Sequence, residues 1–332
     1  MVVVDREDES QSFDRVVASR TQHDSSVDEL LCCRKFDALA DGIVEPHARP
    51  DVYRALGQSY AFLGAADRAV RLFDRCLDEV TSTQPDNAPA QIWFATLLSY
   101  ALTDAGEYER ARAVVRSALE RAETDVDAYT RVRLYWSAAR LAHHEGRSSD
   151  ALENIREAIA LLKATDDEIT LARAYLLSAG IETNDGDAVA ARNHLEKAKI
   201  LLAAAATPED RGMILIGDSR IACLEGDSGH AIEAARKAMD ILGELHAGEQ
   251  GEAVWALARG QALAGEVAAA NEAFSRAVDL LSVHGRRHDA ARAAADWAET
   301  LHKAGRPDEA AKASERAVGL GLELETEPSH SR

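Results

Sequence analysis

The chain has 332 residues and a formal net charge of −19, with 57 acidic residues against 38 basic ones. This acidic excess argues against a general nucleic-acid-binding surface, which needs a basic footprint, and no apolar run is long enough to span a membrane. The hydrophobic content of 46% is ample for a core, although aromatic residues make up only 5%.

The N-terminal region divides into two parts. Residues 1–25 are polar, charged and aperiodic, which predicts a disordered arm. Ser26 and Glu29 have the spacing of a capping box, so we predict a helix over residues 26–48 that packs on the first repeat.

The first residues do not form a signal peptide, because acidic residues follow a very short apolar run. Four cysteines without C-x-x-C spacing suggest no disulfide framework, and a cytoplasmic location is expected.

An array of seven similar units is predicted over residues 49–322. Their turn glycines recur at a nearly constant step of about 40 residues, and self-similarity at such a period marks a repeat array. The glycines are Gly64, Gly106, Gly146, Gly186, Gly226, Gly265 and Gly305. Alanine follows each glycine by five positions, and alanine or cysteine follows by twelve, which places small side chains on one helix face. Because glycine ends a helix without steric cost, each unit is predicted to be helix A, a tight turn and helix B.

The first unit carries the most complete motif. It consists of Tyr53, Leu56, Gly57, Tyr60 and Gly64, followed by Ala69, Phe73 and Cys76. This pattern resembles the tetratricopeptide repeat (TPR), with a period of about 40 residues that is longer than in the commonest form of the repeat. The resemblance implies an all-α fold, a TPR-type α-solenoid of about seven helix pairs forming a right-handed superhelix.

Long repeats of this kind resemble the sensor portions of bacterial regulators, such as MalT-like activators and actinobacterial helix-turn-helix proteins. Such regulators carry a DNA-binding domain before the repeats. Here only residues 1–48 precede the first repeat, so we expect this chain to have no DNA-binding domain of its own.

Two helix starts and one chain end are predicted from local signals. Thr207 followed by Pro208 is typical of a helix start, and Thr165 with Glu168 has the spacing of a capping box. The tail, residues 323–332, is predicted to be disordered.

The TPR resemblance also implies which residues line the groove on the A helices, namely those 13, 10, 6 and 3 positions before each turn glycine. These 28 positions hold seven arginines and three acids, whereas the chain average would place roughly three basic and five acidic residues there. The predicted partner-binding residues are Trp93, Tyr100, Arg133, Trp136, Arg140, His143, Arg173, Arg220, Trp255 and Arg259.

Arginine forks suit carboxylates and phosphates, and tryptophan provides a flat apolar anchor. The groove is therefore predicted to bind a peptide that carries acidic groups, or its C-terminal carboxylate. The alternative is that the arginines pair with acids on adjacent helices and the tryptophans pack between repeats.

The favoured function is a non-enzymatic, regulatory protein- or peptide-binding module, with self-association as a further option. Alternatives are the sensor part of a transcription regulator, acting through a partner or a missing DNA-binding segment, and an assembly or chaperone adaptor. No P-loop, dinucleotide fingerprint or nucleophile elbow occurs, so no cofactor and no catalysis are expected. His143-His144-Glu145 lacks the histidine spacing of a helical zinc site, so no metal is expected either.

Overall fold

The computed structural model describes residues 49–62, 65–122, 127–243 and 247–321. The predictions for residues 1–25, 26–48 and 323–332 lie outside the described residues, as does the first turn glycine, Gly64.

Within these ranges the chain forms 14 α-helices and no β-strand, which confirms the predicted all-α class. The helices, numbered from the first described one, are α1 (Arg49–Phe62), α2 (Ala66–Thr83), α3 (Ala88–Ala105), α4 (Tyr108–Ala122), α5 (Ala128–His144), α6 (Ser148–Leu162), α7 (Glu168–Asn184), α8 (Ala188–Leu202), α9 (Pro208–Glu225), α10 (Ser228–Leu242), α11 (Ala247–Leu263), α12 (Val267–Val283), α13 (Arg287–Lys303) and α14 (Pro307–Gly319). None of the described helices is both long enough and apolar enough to cross a bilayer.

The chain divides into two compact units, which meet in sequence at Ala206 and Thr207. Unit 1 (residues 1–206) contains α1–α8, and unit 2 (residues 207–332) contains α9–α14. In each unit every odd-numbered helix packs against the even-numbered helix that follows it, and successive pairs pack on one another. The odd-numbered helices are the predicted A helices and the even-numbered ones the B helices, so seven A–B pairs are formed.

Each described turn glycine closes its A helix in the same way. At Gly106, φ is 80°, and the amide of Glu107 donates to the carbonyl of Leu102 at 2.8 Å. A residue with a Cβ would be strained at this left-handed backbone angle. The other described turn glycines also have positive φ: Gly146, Gly186, Gly226, Gly265 and Gly305.

Small residues on the B helices allow the pairs to pack closely. Ala151 and Ala158 in α6 have no exposed surface, and Ile155 between them is fully buried. The same pattern recurs on α8 and α12, where Leu195 and Phe274 fill the corresponding position. Small and large side chains therefore pack densely within each unit.

One predicted helix start is confirmed and another is wrong. The Thr207 hydroxyl accepts from the Asp210 amide at 3.1 Å, and the Asp210 carboxylate accepts from the Thr207 amide at 3.1 Å, which completes a capping box. Thr165 does not cap α7, because its hydroxyl donates to the Leu162 carbonyl at 2.8 Å. Asp167 is the cap instead, and its carboxylate accepts from the Thr170 amide at 2.9 Å.

Candidate functional site

In unit 1, the equivalent positions of successive A helices lie side by side. Trp93 on α3 and Arg133 on α5 occupy the same position in consecutive repeats, one period apart. The guanidinium carbon of Arg133 lies 4.1 Å from the centroid of the Trp93 ring. Arg133 is exposed and Trp93 half-buried, and Arg133 makes no ion pair with any residue that the structure describes. A cation–π contact leaves the guanidinium N–H groups able to donate to another molecule.

The next pair of equivalent positions holds Tyr100 and Arg140. The guanidinium carbon of Arg140 lies 5.1 Å from the centroid of the Tyr100 ring, and its Nη2 donates to Asp104 Oδ1 at 2.6 Å. Burial raises the pKa of Tyr100, although Arg140 and Arg133 act in the opposite direction. The phenol therefore stays neutral at physiological pH.

The three remaining predicted residues of unit 1 lie on α5 and α7. The side-chain amide of Asn184 on α7 donates to Nε2 of His143 at 3.1 Å. Trp136 is half-buried against the core formed by α5–α8, and Arg173 is exposed on α7. The two stacked pairs, Trp93 with Arg133 and Tyr100 with Arg140, form the contiguous part of the predicted site in this unit.

In unit 2, two arginines face a single indole ring. Trp255 on α11 is 5% exposed, and its Nε1–H donates to Asp296 Oδ2 on α13 at 2.9 Å. Two guanidinium carbons face this ring, that of Arg220 at 5.9 Å and that of Arg292 at 5.6 Å from its centroid. Arg259 Nε lies 3.7 Å from Asp296 Oδ2. Three successive A helices, α9, α11 and α13, therefore contribute to one cluster.

The charge of this cluster affects Arg220 directly. Burial lowers the pKa of Arg220 to about 10, and the neighbouring cations Arg259 and Arg292 contribute to the decrease, although Glu252 and Asp289 act in the opposite direction. The guanidinium is still charged at neutral pH. The two neighbouring cations therefore affect the pKa of Arg220 more than the two nearby carboxylates do in the opposite direction.

Sequence reasoning left three contributors out of the predicted site. Arg292 stood among the groove positions but was omitted from the site, although it belongs to the Trp255 cluster. Asp104 and Asp296 lie outside the four counted positions. A signal for Asp104 existed in the sequence, because it follows Tyr100 by one helical turn and therefore shares its face.

Several contacts are those that the alternative interpretation expects. Arg140 pairs with Asp104 and Arg259 with Asp296, in each case on an adjacent A helix, and Trp255 is buried between repeats. Half-exposed ion pairs of this kind contribute at most about 1 kcal/mol to stability. They lower the net charge of the predicted site without removing its arginines from the surface.

A serine–histidine–glutamate cluster lies elsewhere, between α7 and α8. Nδ1 of His194 is 2.8 Å from Glu182 Oε2 and 3.3 Å from the Ser178 hydroxyl. Both groups meet the same ring nitrogen, whereas a nucleophile–histidine–acid relay uses the two nitrogens separately. Ser178 is also 1% exposed, so this cluster has the geometry of a packing contact. Among the described residues, no group of three or more His, Cys, Asp or Glu side chains could hold a metal ion.

Comparisons with known proteins relate the chain to other proteins by fold alone. No protein-family model and no curated protein sequence matches it. A Rap protein complexed with Competence and Sporulation Factor has a TM-score of 0.62 at 14% identity, over 95% of this chain and 98% of that one. The Rap conjugation gene regulator of plasmid pLS20 with the Phr* peptide has a TM-score of 0.60 at 14% identity, over 87% and 80% of the two chains.

A third structure contains the repeat by name. It is a Signal Transduction ATPase with Numerous Domains protein with a tetratricopeptide repeat sensor from Pyrococcus horikoshii, with a TM-score of 0.55 at 15% identity. The alignment covers 96% of this chain and 47% of that one. Together with the helix pairs and turn glycines, these similarities confirm the predicted TPR-type α-solenoid.

Proposed function

We propose that this protein is a non-enzymatic, cytoplasmic module that recognises an acidic segment of a peptide or protein partner and has a regulatory role. In each unit, the recognising surface is the A-helix face, defined as the residues 13, 10, 6 and 3 positions before the turn glycines. Its arginines would bind carboxylates, and its aromatic rings would provide apolar anchors.

The observation that carries this proposal is the stacked pair of Arg133 and Trp93. An exposed guanidinium held 4.1 Å from an indole ring is oriented before any ligand arrives. Because its flat face is engaged while its edges are not used in an ion pair with a described residue, binding an acid costs little further ordering of the side chain.

The structural neighbours support the same proposal. Two of them are complexes, one Rap protein with Competence and Sporulation Factor and the plasmid regulator with the Phr* peptide. Peptide recognition by helical repeats is a common use of such surfaces. Because the second neighbour is a conjugation gene regulator, it also supports the second candidate, a sensor part of a transcription regulator that acts through a partner.

The experiment is affinity purification of the tagged protein from its native host, followed by mass spectrometry of proteins and peptides. Arg133→Glu reverses the charge of the stacked pair, and Arg116→Glu makes the same change at an exposed position on B helix α4. We expect a recurrent partner that the Arg133 variant loses and the Arg116 variant keeps. A partner retained equally by both variants would overturn the proposed surface, and a DNA-binding partner would favour the sensor alternative.

A further inference from the structure

The Trp255 cluster of unit 2 differs chemically from the stacked pairs of unit 1. Two guanidinium groups face one indole ring, that of Arg220 from α9 and that of Arg292 from α13. A third, that of Arg259 from α11, lies beside Asp296, which accepts from the same indole. Arg220 and Arg292 are half-buried, and 28% of the Arg259 side chain is exposed. Each of the three arginine side chains is therefore partly accessible to solvent and partly shielded from it.

The carboxylates of this region are unevenly distributed. Glu252 and Asp289 both pair with Arg286, the second at 2.8 Å, and the half-buried Glu249 lies in the field of the same arginine. Asp296 is the carboxylate that contacts both Arg259 and the Trp255 indole. It lies 3.7 Å from Arg259 Nε, which is too far for a hydrogen bond. Arg292 makes no ion pair with any residue in the described ranges.

We propose that Arg220, Arg259 and Arg292 form a binding site for one compact oxyanion, a phosphoryl or carboxylate group, beside the Trp255 ring, with Asp296 as its internal competitor. Guanidinium groups form paired hydrogen bonds with such oxygens, and partial desolvation strengthens each charge-assisted bond. The inference rests on the proposed function, because it names the residues that would bind the acidic group of the partner. The test, however, needs no knowledge of that partner.

The depressed pKa of Arg220 agrees with this geometry, because its causes are burial and the two other cations of the site. An added anion would relieve that repulsion. Glu252 and Asp289 oppose that repulsion, but both also pair with Arg286.

The indole N–H groups provide a direct readout of binding. The chain has four tryptophans, and their indole N–H resonances are separable by NMR, with Trp255→Phe providing the assignment. Trp255 donates to Asp296, whereas Trp297 donates to Asn271 Oδ1 at 2.8 Å and serves as an internal control. The full chain is titrated with inorganic phosphate, with N-acetyl-dialanine as a model of a peptide C-terminus, and with sodium chloride at matched ionic strength.

We expect a saturable shift of the Trp255 resonance with phosphate or with N-acetyl-dialanine, and no saturable shift with chloride. The stronger of the two ligands distinguishes a phosphoryl group from a terminal carboxylate. Arg292→Gln should weaken binding roughly tenfold, as expected for the loss of one charge-assisted contact. Arg236→Gln, at an exposed position on α10 of the same unit, should leave it unchanged.

Asp296→Asn separates the proposal from a simple loss of folding. It removes the competing charge while keeping an oxygen that can accept from Trp255, so we expect it to tighten binding several-fold, which a misfolded variant would not do. Equal binding by wild type and Arg292→Gln, weaker binding by Asp296→Asn, or no saturable response to either oxyanion would overturn the proposal. If phosphate or N-acetyl-dialanine shifts the Trp255 resonance but the affinity purification recovers no partner, the oxyanion site is supported and the proposed function is not.

Discussion

At the scale of single residues, side chains that are one repeat period apart in sequence contact each other in the structure. Arg133 follows Trp93 by one period and stacks on it, and Arg140 follows Tyr100 in the same way. An arginine in such a position packs against the previous repeat with its flat face and keeps hydrogen-bonding capacity at its edges. We propose that the same residue serves both repeat packing and recognition.

Glycine in the A helices gives a residue-scale prediction about packing. A Cβ added at Gly57 would lie 2.7 Å from Cε1 of the buried Phe73 ring, whereas a Cβ at Gly180 would meet nothing within 4 Å. Gly57→Ala should therefore lower the free energy of unfolding by about 1–3 kcal/mol through overpacking. Urea unfolding followed by circular dichroism measures the change.

The matched variant is Gly180→Ala, which makes the same substitution in the interior of α7. It should raise the free energy of unfolding by about 0.5–1 kcal/mol, because alanine is the better helix former and no contact opposes it. If Gly57→Ala were as stable as Gly180→Ala, the close approach of α1 and α2 would be wrong.

The contacts between equivalent A-helix positions were predictable where the repeat register was clear. The stacked arginines and their aromatic partners follow from counting back from the turn glycines. Asp104 and Asp296 were missed because each pairs with an arginine on a neighbouring A helix. A pattern that counts four positions within each repeat contains no information on acidic residues between those positions.

At the scale of elements, four of the A helices begin as regularly as they end. Their N-caps in α3, α5, α7 and α9 are Asn87, Asp127, Asp167 and Thr207, each one repeat period after the last. This second periodicity was present in the sequence and identifies Asp167 rather than Thr165. The error arose because a capping box was assigned locally, without comparing equivalent positions across repeats.

The cap of α7 gives a prediction with a defined pH dependence. Hydrogen bonds from the Thr170 side chain and amide lower the pKa of Asp167. Its stabilising effect is therefore present above the ordinary aspartate pKa and lost as the pH falls through the lowered value in the folded state. Asp167→Ala should cost about 1 kcal/mol at pH 7, and the difference from wild type should shrink below about pH 4.

The control is Asp185→Ala at the other end of the same helix. Asp185 is exposed at the C-terminus of α7, where a negative charge is unfavourable with respect to the helix dipole. Removing it should not destabilise the protein at pH 7. Equal losses from the two variants, or a loss at Asp167 that does not change with pH, would contradict the capping account.

At the scale of the whole molecule, the sequence predicted the seven helix pairs and the six turns that the structure describes, because the same small residues are required at every repeat. It did not predict the division into two compact units at Ala206 and Thr207. Nothing in the glycine spacing marks that division, since the step from Gly186 to Gly226 equals the step from Gly146 to Gly186.

The two units lead to a prediction about fragments. Residues 207–332 contain three complete helix pairs with their own buried core around Trp255 and Phe274, so this fragment should be helical and unfold cooperatively on its own. A fragment of residues 228–332 lacks α9 and leaves the packing face of α10 uncovered, and should melt at a lower temperature. Circular dichroism melts compare them, and an unfolded 207–332 fragment would contradict the division.

The central claim, recognition of acidic segments by the A-helix face, is tested most directly by selecting a displayed random-peptide library on wild type and on Arg133→Glu. We expect wild type to enrich peptides rich in Asp and Glu. These peptides should bind the variant much more weakly than wild type. Replacing their Asp and Glu residues by Asn and Gln should weaken their binding to wild type to a similar extent. Enriched peptides without an acidic bias, or peptides that bind both proteins equally, would contradict the account.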